Sequence, residues 1–312
     1  MVDLWSTQIN QTNASIATRM TDIYYPSKLL LFGEHTVLRG SQALAMPLLN
    51  YAGRWQFSMD KTKQYDLPKF AEYLKNLVEN GKIAFDTEGV FSALDNGLYF
   101  DSNVPRGYGT GSSGALVAAL YDVFGLDKSL TISDLKIILG RIESFFHGES
   151  SGLDPLVSYL KKPVLIRSDK TMTTLESAEN DLPRFLLDTK QPRKTEPLVK
   201  IFLEKTARSP EFNDLILSEL VPLVNDAITA FLNNQTQFLF ETVHRISLFQ
   251  YRFLPEMIPM AFKNVWLEGL ASDTYKLKLC GAGGGGFILG FCNDLDKTKK
   301  ELAKSGFAII PI

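Results

Sequence analysis

The stretch Pro105-Arg106-Gly107-Tyr108-Gly109-Thr110-Gly111-Ser112-Ser113-Gly114 runs straight into an apolar-periodic segment, 115–124. Glycine lets a backbone turn tightly and lie against a ligand with no side chain in the way. The following segment carries Leu116, Val117, Leu120, Tyr121 and Phe124 at helical spacing, and Gly125 stands where a helix C-terminal glycine belongs. A helix entered from such a loop presents unpaired N–H groups and the positive end of its dipole. Loop and helix together make an anion site, with phosphate the usual guest. Ser112 and Ser113 are placed to cap the helix or to offer a hydroxyl to a metal. The plainer alternative is a loop with a serine N-cap, which four glycines in eight residues disfavour.

Two better-known phosphate loops are excluded. A Walker-type loop needs Gly-Lys-Ser/Thr, and the sequence has no such string. Gly109-x-Gly111-x-x-Gly114 matches the dinucleotide fingerprint, but that fingerprint follows directly on a buried strand, and Pro105-Arg106 intervenes. A second match, Gly281-x-Gly283-x-x-Gly286, follows a strand pattern but leads into the strand-like Phe287-Ile288-Leu289 rather than a helix.

The rest of the 312-residue chain narrows the class. At about 150 residues per domain, two domains are expected. Hydrophobic residues at 45% and charged residues at 22% exclude a disordered or fibrous chain. Lys+Arg 33 against Asp+Glu 35, a net charge of -2, disfavours a general nucleic-acid binder. Two cysteines and three histidines leave little room for a zinc site or a disulfide scaffold, so Cys280 and Cys292 read as intracellular thiols. No run approaches 18 uninterrupted apolar residues, and the first 23 are polar, with no apolar signal-peptide core. The expectation is a cytoplasmic protein with no membrane span.

Periodicity predicts strands at 28–32 and 51–59 and helices at 68–80, 115–124 and 133–146. From 196 to 272 the pattern is almost wholly helical, broken at Ser209-Pro210, Asn233-Asn234 and Pro255. Strands at 275–280 and 287–292, a helix at 294–304 and a strand at 307–312 follow. The pattern is least regular over 160–190, so the domains are expected to be 1–170 and 171–312.

Two further segments carry chemistry. In Pro26-Ser27-Lys28-Leu29-Leu30-Leu31-Phe32-Gly33-Glu34-His35, a strand ends in a glycine and then offers an acid and an imidazole. In His147-Gly148-Glu149-Ser150-Ser151-Gly152-Leu153-Asp154-Pro155, a glycine-bracketed loop ends in a carboxylate. Glu143 lies one helical turn before His147, at the flank of the apolar face beside Leu139 and Phe146. A half-buried carboxylate near a phosphate site suits Mg²⁺, a hard cation preferring oxygen ligands; a solvated helix charge is the alternative.

Pro105 to Ser113, the run Lys278-Leu279-Cys280-Gly281-Ala282-Gly283-Gly284-Gly285-Gly286 and the two segments above occur in one order. In that order they resemble the GHMP kinases, a family that includes galactokinases, homoserine kinases, mevalonate kinases and phosphomevalonate kinases. The matches span 26–291. The resemblance implies an α+β, two-domain GHMP kinase fold. Its N-terminal ATP-binding domain is ribosomal protein S5 domain 2-like and its C-terminal domain ferredoxin-like. It implies ATP and Mg²⁺ as cofactors and a small-molecule alcohol as partner, with a homodimer possible and no nucleic-acid or membrane partner. Pro105, Gly107, Gly109, Gly111, Ser112, Ser113 and Gly114 would hold the phosphates. Ser113 and Glu143 would hold Mg²⁺, and Asp154 and Lys28 would be catalytic.

Within the family the likeness is greatest to the mevalonate kinase branch. Leu31-Phe32-Gly33-Glu34-His35-Thr36-Val37, with Gly40 beyond it, is similar to that branch's N-terminal motif, and Asp188 to Thr195 to a segment supplying an arginine and a threonine. Glu34, His35, Arg193 and Thr195 would line the substrate, and the glycines at 281–286 would let backbone close over the cleft. Nine Lys/Arg against six Asp/Glu over 161–200 give a local positive field suited to a carboxylate-bearing substrate. Four positions depart from the family pattern: Ser27 for glycine, Thr110 for leucine, Pro155 for asparagine and Cys280 for threonine. None removes a group needed for phosphoryl transfer. Lys28, Ser113, Glu143 and Asp154 are all present, which argues against an inactive protein of this fold.

Overall fold

The computed structural model describes residues 20–192 and 195–312. In chain order, β1 (Tyr25–Phe32) leads through a short 3-10 turn (Thr36–Arg39) into β2 (Ala43–Phe57). Helices α1 (Leu67–Glu79) and α2 (Thr87–Asp95), strand β3 (Leu98–Ser102), and helices α3 (Ser112–Phe124), α4 (Ile132–His147) and α5 (Leu153–Leu160) follow. Then come short strands β4 (Val164–Ile166), β5 (Met172–Thr174) and β6 (Arg184–Asp188). Next are helices α6 (Thr195–Arg208), α7 (Pro210–Leu215), α8 (Val221–Leu232), α9 (Thr236–Phe253) and α10 (Lys263–Ala271). Strands β7 (Tyr275–Leu279) and β8 (Phe287–Cys292), helix α11 (Leu295–Lys304) and strand β9 (Ile309–Pro311) complete the chain.

The contacts define two compact units that interleave along the sequence. Of the described residues, one takes 20–27, Leu49–Val104 and Gly111–Lys161; the other takes Lys28–Leu48, Pro105–Thr110 and the rest from Lys162 on. This differs from the expected consecutive halves, 1–170 and 171–312. Strands β1 and β2 each run on from one unit into the other. At ~3.3 Å per residue, β2 is roughly 50 Å long, far more than one sheet layer uses.

In the first unit, the end of β2 pairs antiparallel with β3, from Gly53↔Ser102 to Phe57↔Leu98. Trp55, Phe70, Leu74, Leu98 and Leu120 surround a small core cavity. The Trp55 indole N–H donates to Ala119 O (3.2 Å), joining sheet to α3. Helix α3 is rich in small residues, and Ala115, Val117, Ala118 and Ala119 are wholly buried. Gly125 ends it, though not in the left-handed conformation expected: its backbone is extended (φ -68°). The glycine is needed because a Cβ there would lie 2.6 Å from Tyr121 O. Helix α4 starts at Thr131, whose hydroxyl accepts from Asp134 N–H (3.2 Å), a cap worth about 1 kcal/mol. Leu135, Leu139, Ile142 and Glu143 form its buried stripe.

In the second unit, Ala43–Ala45 of β2 pairs antiparallel with β4, and β4 with β5. A second, wholly antiparallel sheet has the order β7-β8-β6-β9. All five residues of β7 are buried, including Lys276 and Lys278, because α9 and α10 pack on this strand. The Lys276 ammonium donates to the carbonyls of Gly269 (3.0 Å) and Leu270 (3.3 Å), satisfying the C-terminal end of α10. Helix α7 continues into α8 through a π-helical turn, Ile216–Leu220, which the sequence pattern did not suggest. Among the described residues, 210–232 is long and apolar enough to cross a membrane by length and composition alone. Ile216, Leu220, Val224, Ala227, Ile228 and Phe231 form a buried stripe, all 3% exposed or less, while Leu217 and Leu232 are exposed. That is the pattern of a core helix rather than of one apolar all round.

Candidate active site

In the first unit the candidate residues gather at the start of α3. Gly111 is its N-cap, in the left-handed conformation (φ 78°), so the cap residue itself supplies no side-chain acceptor. Neither Ser112 nor Ser113 takes the expected capping role. Instead the Ser113 hydroxyl donates to Glu143 Oε1 (2.9 Å) and lies 3.0 Å from the His147 Nε2. Glu143 is 3% exposed because it sits on the apolar stripe of α4. Its Oε2 accepts from the Ser150 hydroxyl, which in turn accepts from Gly152 N–H (3.0 Å). A buried carboxylate needs such donors, since an unpaired one carries a heavy desolvation penalty.

Asp154 lies in the first turn of α5, where the helix dipole favours a negative charge. Its carboxylate is also set against the α3 N-terminus. A Cβ built on Gly111 would be 3.2 Å from Asp154 Oδ2, and one on Gly114 would be 2.8 Å from Asp154 Cβ and from Pro155 N. Side chains at 111 and 114 would therefore wedge α3 and α5 apart. Two helix N-termini converge on one carboxylate, beside a second carboxylate with hydroxyl partners.

In the second unit, three glycine-containing segments meet. The Lys28 N–H donates to Thr110 O (2.8 Å), fastening β1 to the end of the 105–110 loop, and Lys28 is 7% exposed. A Cβ on Gly107 would lie 3.1 Å from Pro192 Cβ, and one on Gly286 would lie 2.5 Å from Tyr108 O. The Gly286 N–H donates to Gln191 O (2.7 Å), while Thr189 donates to Gly286 O through its N–H (2.9 Å) and hydroxyl (2.8 Å). The 281–286 run thus packs backbone to backbone on the phosphate loop and on the segment after β6.

Glu34 and His35 follow β1 in this unit and are 5% and 6% exposed. Glu34 Oε1 pairs with the Lys278 ammonium (2.6 Å) and accepts from Gln250 Nε2 (2.9 Å). Burial pushes the Glu34 carboxyl above its ordinary range, against the downward pull of Lys278 and Gln250. The His35 ring lies 4.8 Å from that of Phe202, with Nε2 3.3 Å from Ala282 O.

Of the candidate residues, Gly111, Ser112, Ser113, Gly114, Glu143 and Asp154 are brought together in the first unit. Lys28, Glu34, His35, Pro105, Gly107 and Gly109 belong to the second. Arg193 lies outside the described residues, as does the side chain of Thr195, whose backbone opens α6. Ser150, Lys278 and Gln250 were not singled out by sequence. Lys278 carried a signal, one of two charges in a strand next to the glycine run. Among the described residues no cluster of three His, Cys, Asp or Glu side chains stands ready for a metal. The adjacent Ser113 hydroxyl and Glu143 carboxylate are hard oxygen donors. They suit Mg²⁺, which takes one or two protein oxygens and fills its shell with phosphate and water.

The family profile of the GHMP kinases N terminal domain matches residues 71–162, which hold α3, α4, α5 and all three of Ser113, Glu143 and Asp154. A solved mevalonate kinase of L. major, in complex with R-mevalonate, superposes with a TM-score of 0.62 at 18% identity, over 90% of each chain. A Streptococcus pneumoniae phosphomevalonate kinase in complex with phosphomevalonate and AMPPNP superposes at 0.64 and 16%, over 93% of this chain and 99% of its own. Residues 71–162 thus match a GHMP kinase domain, and the fold is that of the GHMP kinases, a class of ATP-dependent phosphotransferases. In sequence it is similar to mevalonate kinases: that of Pyrococcus abyssi is 24% identical over 302 residues, 84% of this chain and 85% of its own.

Proposed function

We propose that the protein transfers the γ-phosphoryl group of ATP to the hydroxyl of mevalonate, giving 5-phosphomevalonate for isoprenoid precursor synthesis. The observation that carries phosphoryl transfer is the meeting of three features in one unit: the glycine-capped α3 N-terminus, the buried Ser113–Glu143 pair and the Asp154 carboxylate. Two similar solved structures, one of a mevalonate and one of a phosphomevalonate kinase, have nearly equal scores, so the fold does not choose the acceptor. The choice of mevalonate rests on sequence likeness over most of the chain.

Phosphoryl transfer asks a protein mainly for positioning and charge stabilisation. Backbone N–H groups of 107–114 and the first turn of α3 bind the anionic phosphates. Ser113 and Glu143 hold Mg²⁺, which when bound offsets the charge of the outer phosphates. Asp154 takes the proton of the acceptor hydroxyl, and the Lys28 ammonium stabilises the alkoxide character that develops. Glu34, His35, Arg193 and Thr195 orient the acceptor. The same reading puts the enzyme in the cytoplasm, with neither nucleic acid nor membrane as a partner, and allows a homodimer.

Mass spectrometry of a reaction with Mg-ATP and mevalonate tests the reading. One added phosphate on the 5-hydroxyl, matched by ADP, is expected. ADP formed with no phosphorylated acceptor would contradict it.

A further inference from the structure

The Glu34 carboxylate is used unequally. Oε1 takes two donors, the Lys278 ammonium at 2.6 Å and the Gln250 amide at 2.9 Å. Oε2 is buried and has no hydrogen-bond partner among the described residues. The donors are themselves fixed. The Lys278 ammonium also donates to Leu279 O (2.7 Å), and the Gln250 carbonyl accepts from Leu279 N–H (2.9 Å). One residue of β7 thus orients both. Lys278 is 0% exposed, so its ammonium has given up water entirely.

Such a pair is a poor device for stability alone, because a matched apolar set is commonly as stable or more so. What it supplies is a charge held in one place. The next residue points the same way. His35 has φ 62° and ψ -45°, a conformation that non-glycine residues rarely adopt and that clusters at functional sites.

We propose that Lys278 and Gln250 are positioning residues for the acceptor: by saturating Oε1 they fix Glu34 so that Oε2 accepts from a hydroxyl of the substrate alcohol. This rests on the reading of Glu34 as a residue that lines the alcohol. Lys278 joins the β1 turn to the strand leading into the 281–286 run, so both motifs set one acceptor contact.

The test uses steady-state kinetics and calorimetric binding with the acceptor that the wild type turns over best. Gln250→Met keeps the ion pair but removes one donor. It is expected to raise the KM and Kd of the acceptor about tenfold, the scale of one hydrogen bond to a charged group, while the KM for ATP stays within about twofold. Lys278→Met should raise the acceptor KM further and lower the melting temperature. The pair Glu34→Gln/Lys278→Met should regain melting temperature but not acceptor affinity. Wild-type acceptor KM in folded Gln250→Met and Lys278→Met, or recovery of both properties in the double variant, would overturn the inference. A wild type that phosphorylates no alcohol would instead overturn the proposed function, independently of these variants.

Discussion

The Ser113 hydroxyl donates to Glu143 Oε1 over 2.9 Å, joining the first turn of α3 to the buried stripe of α4. The helix proposed to offer backbone N–H groups to phosphate is therefore tied directly to the carboxylate best suited to a hard cation. Ser113→Ala should weaken use of Mg-ATP by about 1–3 kcal/mol, the range for a lost hydrogen bond to a charged group. A Mg²⁺ titration of turnover, with nucleotide binding measured alongside, checks this. An unchanged Mg²⁺ dependence would contradict the pairing of Ser113 and Glu143 as metal ligands.

Asp154→Asn keeps the size of the side chain and removes its capacity to take a proton. Turnover should fall to background while ATP still binds, because the phosphate-facing backbone is untouched. Single-turnover kinetics with nucleotide titration separates the two effects. Near-normal kcat in this variant would mean that another group receives the proton.

Gly114→Ala tests how closely α3 and α5 must approach. The added Cβ would fall 2.8 Å from Asp154 Cβ and from the backbone of Asp154 and Pro155, so the two helices must separate. Overpacking of this kind costs about 1–3 kcal/mol. Thermal melting should show the loss, and kcat should drop as well because Asp154 moves. A variant with wild-type melting temperature and kcat would show that the helices yield without displacing the carboxylate.

Burial pushes the Cys292 thiol up to about 11. The folded value exceeds the unfolded one, so the associated stability is present below about pH 9 and is lost as pH rises through about 11. At pH 8 native Cys292 should resist iodoacetamide and react only after unfolding, as mass mapping would reveal. Rapid labelling in the native protein would mean that β8 opens readily.

The glycine-rich loop before α3, α3 itself and the stripe of α4 were legible because glycine clusters and helical periodicity are local signals. The burial of Glu143 followed only in part. Its place beside the apolar face could be counted out, but its second partner, Ser150, depended on how the loop after α4 folds back. Tyr275-Lys-Leu-Lys-Leu279 reads as an alternating, half-exposed strand. Covering helices bury both lysines, and Gln250 meets Glu34 across 216 residues of sequence. Strands β4, β5 and β6 are three to five residues long; β4 and β6 take their identity from distant partners in β2 and β8, and β5 forms only by pairing with β4, so no local pattern marked them. The interleaved units were hidden for the same reason, since the continuation of β1 and β2 from one unit into the other is a matter of pairing.

A coupled ADP-release assay with Mg-ATP against mevalonate, phosphomevalonate, homoserine and galactose tests the central claim most directly. Saturable turnover with mevalonate and far weaker turnover with the other three are expected. Robust activity with one of those three and none with mevalonate would contradict it.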